Sequence, residues 1–158
     1  MNLFLPIHQK LISDLIDSGV QFLIIGGYSV IFYGYKRSTG DVDIWLKPSN
    51  ENKSKLITVL RNNGLSEQSL GYINEFDFEK HVSFSIWNEP NSVDFLTRID
   101  LVEFDDAYSR KVLAEWEGVK FPFIHLDDLV LSKFNTGRTK DLADIDELQR
   151  INKLKKSF

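Results

Sequence analysis

The sequence predicts an α/β (α+β) fold in which a mixed β-sheet is flanked by helices. Helical and strand patterns alternate over the first third of the chain, as in sheets built from strands and helices in turn. Farther on, residues 81–87 and 93–97 alternate apolar and polar positions on either side of the turn 88–91, which is typical of an antiparallel pair. Together these two patterns predict both parallel and antiparallel neighbours in one sheet.

The individual elements follow from periodicity and from the residues that begin or end them. Apolar residues at helical spacing predict helices over 6–18, 28–33, 49–62, 126–134 and 141–155. Short apolar or alternating runs predict strands over 21–25, 41–46, 81–87, 93–97, 112–116 and 119–123. Gly19, Gly34 and Gly64 each follow a predicted helix, where a left-handed residue commonly ends it. The residues between Gly64 and residue 81 show no clear helix or strand pattern.

The composition predicts one compact unit in a reducing compartment. A chain of 158 residues, 42% of them hydrophobic, suits a single domain 1–158 with a core 1–124 and a C-terminal helical segment 125–158. The absence of cysteine excludes disulfides and thiolate chemistry, and we expect a cytoplasmic protein with no membrane partner. A net charge of −4 gives no overall positive field, so nucleic acid would need a local basic patch.

Two carboxylates stand side by side in the predicted strand 41–46. Because side chains alternate along a strand, Asp41 and Asp43 share one face while Val42 points to the other. Adjacent carboxylates repel each other, so they call for a cation, and hard oxygen ligands suit Mg²⁺ or Mn²⁺. The alternative is that Asp41 closes the preceding turn and Asp43 faces solvent.

Asp94 repeats this pattern in the predicted strand 93–97, where its apolar neighbours point the other way. If this strand lies beside the strand of Asp41 and Asp43, three acids converge. They suffice to hold two divalent ions for an in-line displacement at phosphorus. The alternative is a solvent-facing acid on an edge strand.

Gly26 and Gly27 lie between a buried strand and a helix. Glycines at such a turn bring backbone N–H groups close to an incoming anion, and Ser29 adds a hydroxyl donor just beyond. A pair of glycines is more often simply a turn. The prediction of a phosphate site therefore rests on the combination with the acids that follow.

The glycine segment 22–29 (FLIIGGYS) is followed by the acidic segment 41–44 (DVDI), and thirteen residues, 28–40, separate Gly27 from Asp41. This pattern resembles the signature of the DNA polymerase beta-like nucleotidyltransferase superfamily. The resemblance extends over most of the chain, through 34–39, 93–95, 126–133 and 137–142. It implies a minimal nucleotidyltransferase fold with C-terminal helices. It also implies that Asp41 and Asp43 ligate two Mg²⁺ ions, while Asp94 binds the catalytic ion and helps to deprotonate the acceptor hydroxyl.

The same resemblance assigns the nucleotide site. Gly26, Gly27 and Ser29 would hold the triphosphate, and Lys133 would stabilise the leaving pyrophosphate. Arg37, in the loop before the acidic strand, could contact phosphate or acceptor. The alternative for Arg37 and Lys133 is ordinary solvation at the surface.

The implied activity is transfer of a nucleoside monophosphate from a nucleoside triphosphate to an acceptor hydroxyl. Within the superfamily the chain looks closest to small abortive-infection-type toxins, which implies a tRNA or protein acceptor in a toxin–antitoxin system. The alternatives are an antibiotic acceptor, as in lincosamide and aminoglycoside nucleotidyltransferases, or a noncatalytic antitoxin-type module. Because the chain is short, a homodimer or antitoxin partner could complete the acceptor site.

A tRNA acceptor requires a basic rim beside Asp41. Six cationic residues could form it on the folded surface. They are Lys10, Lys36, Arg37, Lys133, Arg138 and Lys140.

Overall fold

The computed structural model describes residues 3–157, with side chains as far as residue 155. The helices in this part of the chain are α1 (Pro6–Asp17), α2 (Gly26–Phe32), α3 (Asn50–Asn62), α4 (Glu67–Glu75), α5 (Phe104–Ser109), α6 (Leu126–Lys133) and α7 (Thr139–Ser157). The strands are β1 (Phe22–Ile25), β2 (Val42–Leu46), β3 (Ser83–Ile86), β4 (Val93–Leu96), β5 (Val112–Trp116) and β6 (Val119–Phe123).

The six strands form one sheet in the order β3-β4-β2-β1-β6-β5. The pairs β2/β4 and β1/β6 are parallel, whereas β1/β2, β3/β4 and β5/β6 are antiparallel. This topology confirms the predicted mixed sheet, and it places β2 between β1 and β4. The strand before the glycine turn, β1, and the strand of the third acid, β4, are therefore both neighbours of the Asp41–Asp43 segment.

Helices cover both faces of the sheet. On one face Ile44 belongs to a buried cluster with Leu11 of α1 and Leu56 of α3. On the other face Trp45 belongs to a second cluster with Leu129 of α6. A central strand covered on both sides is apolar throughout, which explains why all four residues of β1 are buried.

The helices α4 and α5 did not emerge from the sequence pattern. The helix α4 buries only Leu70 and Ile73 and contains the poor helix former Gly71, so its apolar stripe is too short to recognise. The helix α5 has six residues, fewer than two turns. The helix α2 also begins two residues earlier than predicted, because the glycines belong to the helix and not to a separate turn.

Within residues 3–157 no helix combines the length and the apolar character that crossing a lipid bilayer requires.

Candidate active site

The sheet brings the acids of β2 and β4 together. In the parallel pairing of these strands Asp43 is the direct register partner of Asp94. Asp41 lies one residue before β2, and the period of two places it on the same face as Asp43. This is the face that α5, α6 and α7 cover, so the three predicted acids share one side of the sheet with the C-terminal helices.

The Asp43 carboxyl is poorly solvated and surrounded by like charges. Burial, followed by the charges of Asp94 and Asp41, raises the pKa of Asp43 to about 7, and the positive charge of Lys133 counteracts this rise. A hydrogen bond with Asp94 adds to the shift, since only the protonated Asp43 can donate it. Near neutral pH, with no cation bound, Asp43 is therefore protonated in part of the molecules, which lowers the negative charge of the three acids.

Glu89 is a fourth acid at this site, and the sequence analysis missed it. A hydrogen bond with Asp41 and the charges of Asp41 and Asp94 raise the pKa of Glu89. The sequence marks residues 88–91 only as a turn, and nothing local shows that this turn folds over Asp41. We call Asp41, Asp43, Asp94 and Glu89 the acidic cluster.

The acidic cluster offers hard oxygen donors but does not enclose an ion by itself. Oδ1 of Asp41 is buried and has no hydrogen-bond partner among the described residues. Asp94 accepts a hydrogen bond from the Ser85 hydroxyl at 2.5 Å. Over residues 3–155 no three acidic or histidine side chains are gathered closely enough to form a ready metal site. The donor set and the orphaned oxygen fit a hard cation, which would draw the repelling carboxylates together.

The two glycines are required by close contacts. Gly26 has φ +67°, and a Cβ there would lie 2.0 Å from Oδ2 of Asp43. A Cβ on Gly27 would lie 2.1 Å from Oγ1 of Thr39. Gly26 thus lets the start of α2 touch the acidic cluster, and Gly27 lets the 36–40 loop pack on the helix.

Ser29 lies inside the protein. Its side chain is fully buried, and its hydroxyl donates a hydrogen bond of 2.7 Å to the carbonyl oxygen of Ile24. The hydroxyl therefore braces the turn between β1 and α2. Its predicted contact with a triphosphate would require this hydrogen bond to open.

A cleft of about 340 Å³ joins the glycine turn, the acidic cluster and the C-terminal helices. Gly26 and Asp43 line one side, and Lys133, Arg138 and Asp141 line the other. The structure thus brings Lys133 to the same cleft as Asp43, although 90 positions separate them in the chain. This arrangement suits a triphosphate whose metal-bound end faces the acids.

The cations predicted to meet phosphate are paired with acids of α7. Lys133 Nζ lies 3.0 Å from Oδ1 of Asp141 and 3.2 Å from Oδ2 of Asp144. Arg37 Nε lies 3.0 Å from Oδ1 of Asp144, and Arg138 Nε lies 2.7 Å from Oδ2 of Asp141. We call these five residues the ion-pair network. The side chains of Arg37 and Lys133 are only 13% and 10% exposed, so the alternative of ordinary surface solvation does not describe them.

Asp141 and Asp144 are further residues of the site that sequence reasoning did not assign. Burial alone would raise the pKa of Asp141, but hydrogen bonds from Thr136 and Lys133 hold it below its ordinary value. The two acids are three positions apart on a helix and share one face, which is the signal that could have suggested a common partner.

The basic rim that tRNA would need is largely neutralised. Arg37, Lys133 and Arg138 belong to the ion-pair network, and Lys10 pairs with Asp14 at 2.7 Å. Two of the six candidate residues carry no ion pair in the described part of the chain. These are Lys36 and Lys140, both exposed.

Several solved structures share this fold, and three of them illustrate the likeness. A lincosamide antibiotic adenylyltransferase, LnuA with lincomycin bound, has a TM-score of 0.56 and 17% identity, covering 96% of this chain and 99% of its own. A putative nucleotidyltransferase from Thermotoga maritima (TM1012) has a TM-score of 0.57 and 16% identity, covering 91% of both chains. The antibiotic-resistance factor ANT(2'')-Ia has a TM-score of 0.54 and 12% identity, covering 96% and 90%.

No curated protein matches this sequence. A family profile does match it, over residues 5–156 and thus over almost the whole chain. The match confirms the resemblance to nucleotidyltransferases that the glycine and aspartate motifs indicated. The chain belongs to the family described as a nucleotidyltransferase of unknown function (DUF6036).

Proposed function

We propose that this protein transfers a nucleoside monophosphate from a nucleoside triphosphate to an acceptor hydroxyl. The observation that carries the proposal is the register of Asp43 beside Asp94, with Gly26 in contact with Asp43. This register sets two carboxylates next to a glycine turn and above a cleft with a lysine on its far side. Nucleotidyl transfer needs these parts because charge builds up on phosphate oxygens as the bond to pyrophosphate breaks.

The reaction is a single displacement at the α-phosphorus. The acceptor oxygen forms a bond to this phosphorus, the bond from phosphorus to the oxygen of the β-phosphate breaks, and pyrophosphate leaves. Asp94 takes the proton of the acceptor hydroxyl. Asp41, Asp43 and Asp94 would hold two divalent ions, Mg²⁺ or else Mn²⁺, which neutralise charge on the phosphates. The unpaired Oδ1 of Asp41 supports this assignment, since it is a buried carboxylate oxygen without a hydrogen-bond partner among the described residues.

Lys133 would stabilise the pyrophosphate, and Gly26 and Gly27 would let the triphosphate approach the backbone. In the structure Lys133 contacts two carboxylates, so phosphate oxygens would have to replace at least one of them. Arg37 is held by Asp144 and lies within reach of the turn, 3.3 Å from the position that a Gly27 Cβ would occupy. Its proposed role is to hold the loop that leads into Asp41.

The geometry of the acidic cluster does not by itself identify the acceptor molecule. Pairing of the candidate cations argues against free tRNA, because a phosphate backbone binds chiefly through unpaired Lys and Arg. Two of the solved relatives concern antibiotics, a lincosamide adenylyltransferase and a resistance factor, which supports a small hydroxylated acceptor as the better candidate. A protein acceptor, a toxin role with a cognate antitoxin, a homodimer and a cytoplasmic location stay predictions.

The test uses purified protein with labelled nucleoside triphosphates, Mg²⁺ and three acceptor pools: small metabolites and antibiotics, total tRNA, and cell protein. We expect transfer to one pool, reduced by about 100- to 1,000-fold in Asp43→Asn. The matched control is Asp105→Asn, an acid on α5 whose side chain is 80% exposed. Nucleotide binding without transfer to any pool would favour the noncatalytic module, and no binding at all would refute the proposal.

A further inference from the structure

Ser85 of the edge strand β3 stands in one row with two acids of the acidic cluster. It is the register partner of Asp94 in the β3/β4 pair, and Asp94 is in turn the register partner of Asp43 in the β2/β4 pair. Residues directly opposite each other on neighbouring strands project from the same face of a sheet. The side chains of Ser85, Asp94 and Asp43 therefore lie side by side, on the face that carries the acidic cluster.

The hydroxyl of Ser85 is bonded to the carboxylate that the proposed reaction uses as its base. It donates a hydrogen bond of 2.5 Å to Oδ1 of Asp94, and it has no other hydrogen-bond partner among the described residues. Ser85 is an exposed residue, so this oxygen is open to molecules from solvent. A base takes a proton from a hydroxyl that lies within hydrogen-bond reach. The chain therefore presents one of its own hydroxyls to Asp94 in the way that an acceptor would have to.

Other hydroxyls of the protein have different partners. Those of Ser29 and Ser132 donate to backbone carbonyl oxygens, as is usual for serine in turns and helices. The hydroxyl of Thr136 also donates to a carboxylate, but this carboxylate is that of Asp141, which cations of the ion-pair network already hold. Ser85 differs from these three because the oxygen that it bonds belongs to the acidic cluster.

We propose that Ser85 is itself an acceptor, and that the protein transfers one nucleoside monophosphate to its own Ser85. Oγ of Ser85 forms a bond to the α-phosphorus, the bond from this phosphorus to the oxygen of the β-phosphate breaks, and pyrophosphate leaves. The proton of the Ser85 hydroxyl passes to Asp94. The product is a phosphodiester on Ser85, and the step needs no reactant besides the nucleoside triphosphate. This inference rests on the proposed function, because it uses the same donor and the same base.

Such a modification would also silence the site. A phosphodiester on Ser85 adds a negative charge next to Asp94, where carboxylates already repel one another. It also occupies the place from which another acceptor would reach Asp94. Each chain would therefore modify itself once, and transfer to other acceptors should fall as the modified fraction of the protein rises.

Mass spectrometry of the purified chain tests this inference. The protein is incubated with Mg²⁺ and each of the four ribonucleoside triphosphates in turn, without an external acceptor. With at least one of them we expect a gain in intact mass equal to one nucleoside monophosphate per chain, and tandem spectra that place it on Ser85. The adduct should withstand hydroxylamine, which removes a nucleotidyl group from a carboxylate but not from a serine. An adduct on Ser85 that is already present after purification supports the inference equally.

Ser83 provides a matched control on the same strand. It is exposed, lies on the same face two positions away, and is the register partner of Leu96 instead of an acid. Ser83→Ala should be modified as fully as wild type, whereas Ser85→Ala should lose the modification. Ser85→Thr keeps a hydroxyl and should still be modified at this position. Because each Ser85 bonds to Asp94 of its own chain, Asp43→Asn protein mixed with wild type should stay unmodified.

Binding of ATP with Mg²⁺ and transfer to the external acceptor pools, measured on the same samples, keep the two proposals apart. If wild-type protein binds no nucleoside triphosphate, or binds it without transfer to itself or to any pool, both proposals fail. If it labels an external acceptor but never itself, only the inference about Ser85 is overturned. An adduct on another residue, equal modification of Ser85→Ala and wild type, or modification of Asp43→Asn by wild type also overturns it.

Discussion

The acidic cluster and the ion-pair network lie on opposite sides of one cleft, and their charges are balanced by partners to very different degrees. In the cluster, one oxygen of Asp41 has no hydrogen-bond partner among the described residues and Asp43 resists ionisation. In the network, Lys133 contacts the carboxylates of Asp141 and Asp144, and Arg37 contacts the other carboxylate oxygen of Asp144. The difference teaches that the acidic side is incomplete without a cation, whereas the charges of the basic side are already balanced by ion pairs that link α7 to α6 and to the loop before β2.

The largest expected effect comes from breaking the network at Asp144, which is 1% exposed and pairs with two cations. Asp144→Ala would leave both cations without this partner, and we expect the free energy of unfolding to fall by about 3–5 kcal/mol. Denaturant unfolding measures it, with Asp105→Ala as the exposed control. A loss no larger than that of the control would show that the network does not fasten α7.

The acidic cluster should make stability depend on pH in the opposite way from an ordinary ion pair. The pKa of Asp43 rises from 3.8 in the unfolded chain to about 7 in the folded protein, so the folded state binds more protons between these values. Stability should therefore fall as the pH rises from about 4 to about 7, by at most about 4 kcal/mol for three pKa units. Unfolding curves over this range measure the slope, which Asp43→Asn should remove. An unchanged slope in Asp43→Asn would contradict the assignment.

The contact between the glycine turn and the cluster can be isolated with a matched pair of glycines. Gly26 and Gly137 have φ +67° and +70°, but a Cβ would meet Asp43 at the first and open space at the second. Gly137→Ala should cost about 1–2 kcal/mol from backbone strain alone. Gly26→Ala should cost more, because the overlap with Asp43 is added. Equal losses in thermal unfolding would mean that Asp43 simply moves aside.

The smallest effect is expected at an exposed ion pair outside the cleft. Lys10 and Asp14 pair at 2.7 Å on α1, and the Lys10 side chain is 61% exposed. Lys10→Ala should change the free energy of unfolding by less than about 1 kcal/mol, since water screens the pair. Denaturant unfolding with and without 1 M salt checks this. A larger loss of stability would contradict the expectation that the exposed Lys10–Asp14 pair contributes less than the buried pairs of Asp144.

The sequence predicted the sheet well because its strands have local signals. β2 and β4 show period-two patterns, and their pairing brings Asp43 beside Asp94, which is the condition on which the sequence analysis expected the acids to converge. The helix α4 escaped prediction because Gly71 and mostly exposed residues leave it almost no apolar stripe. Short helices take their stability from packing that only the folded protein shows.

Contacts between distant segments could not be predicted. Arg37 and Asp144 are 107 positions apart, and nothing near either residue announces the pairing. Glu89 reaches Asp41 because the β3–β4 loop lies beside the start of β2, which a turn signal does not reveal. Lys133 lines the cleft, but its carboxylate partners on α7 were not expected from the sequence.

The central claim is that the acidic cluster holds the metal-bound nucleotide. Its most direct test is calorimetric titration with a non-hydrolysable ATP analogue, with and without Mg²⁺, of wild type, Asp43→Asn and Asp105→Asn. The account predicts Mg²⁺-dependent binding by wild type and Asp105→Asn, and affinity weaker by about 100-fold or more in Asp43→Asn. Equal binding by all three proteins, or binding that does not need Mg²⁺, would contradict it.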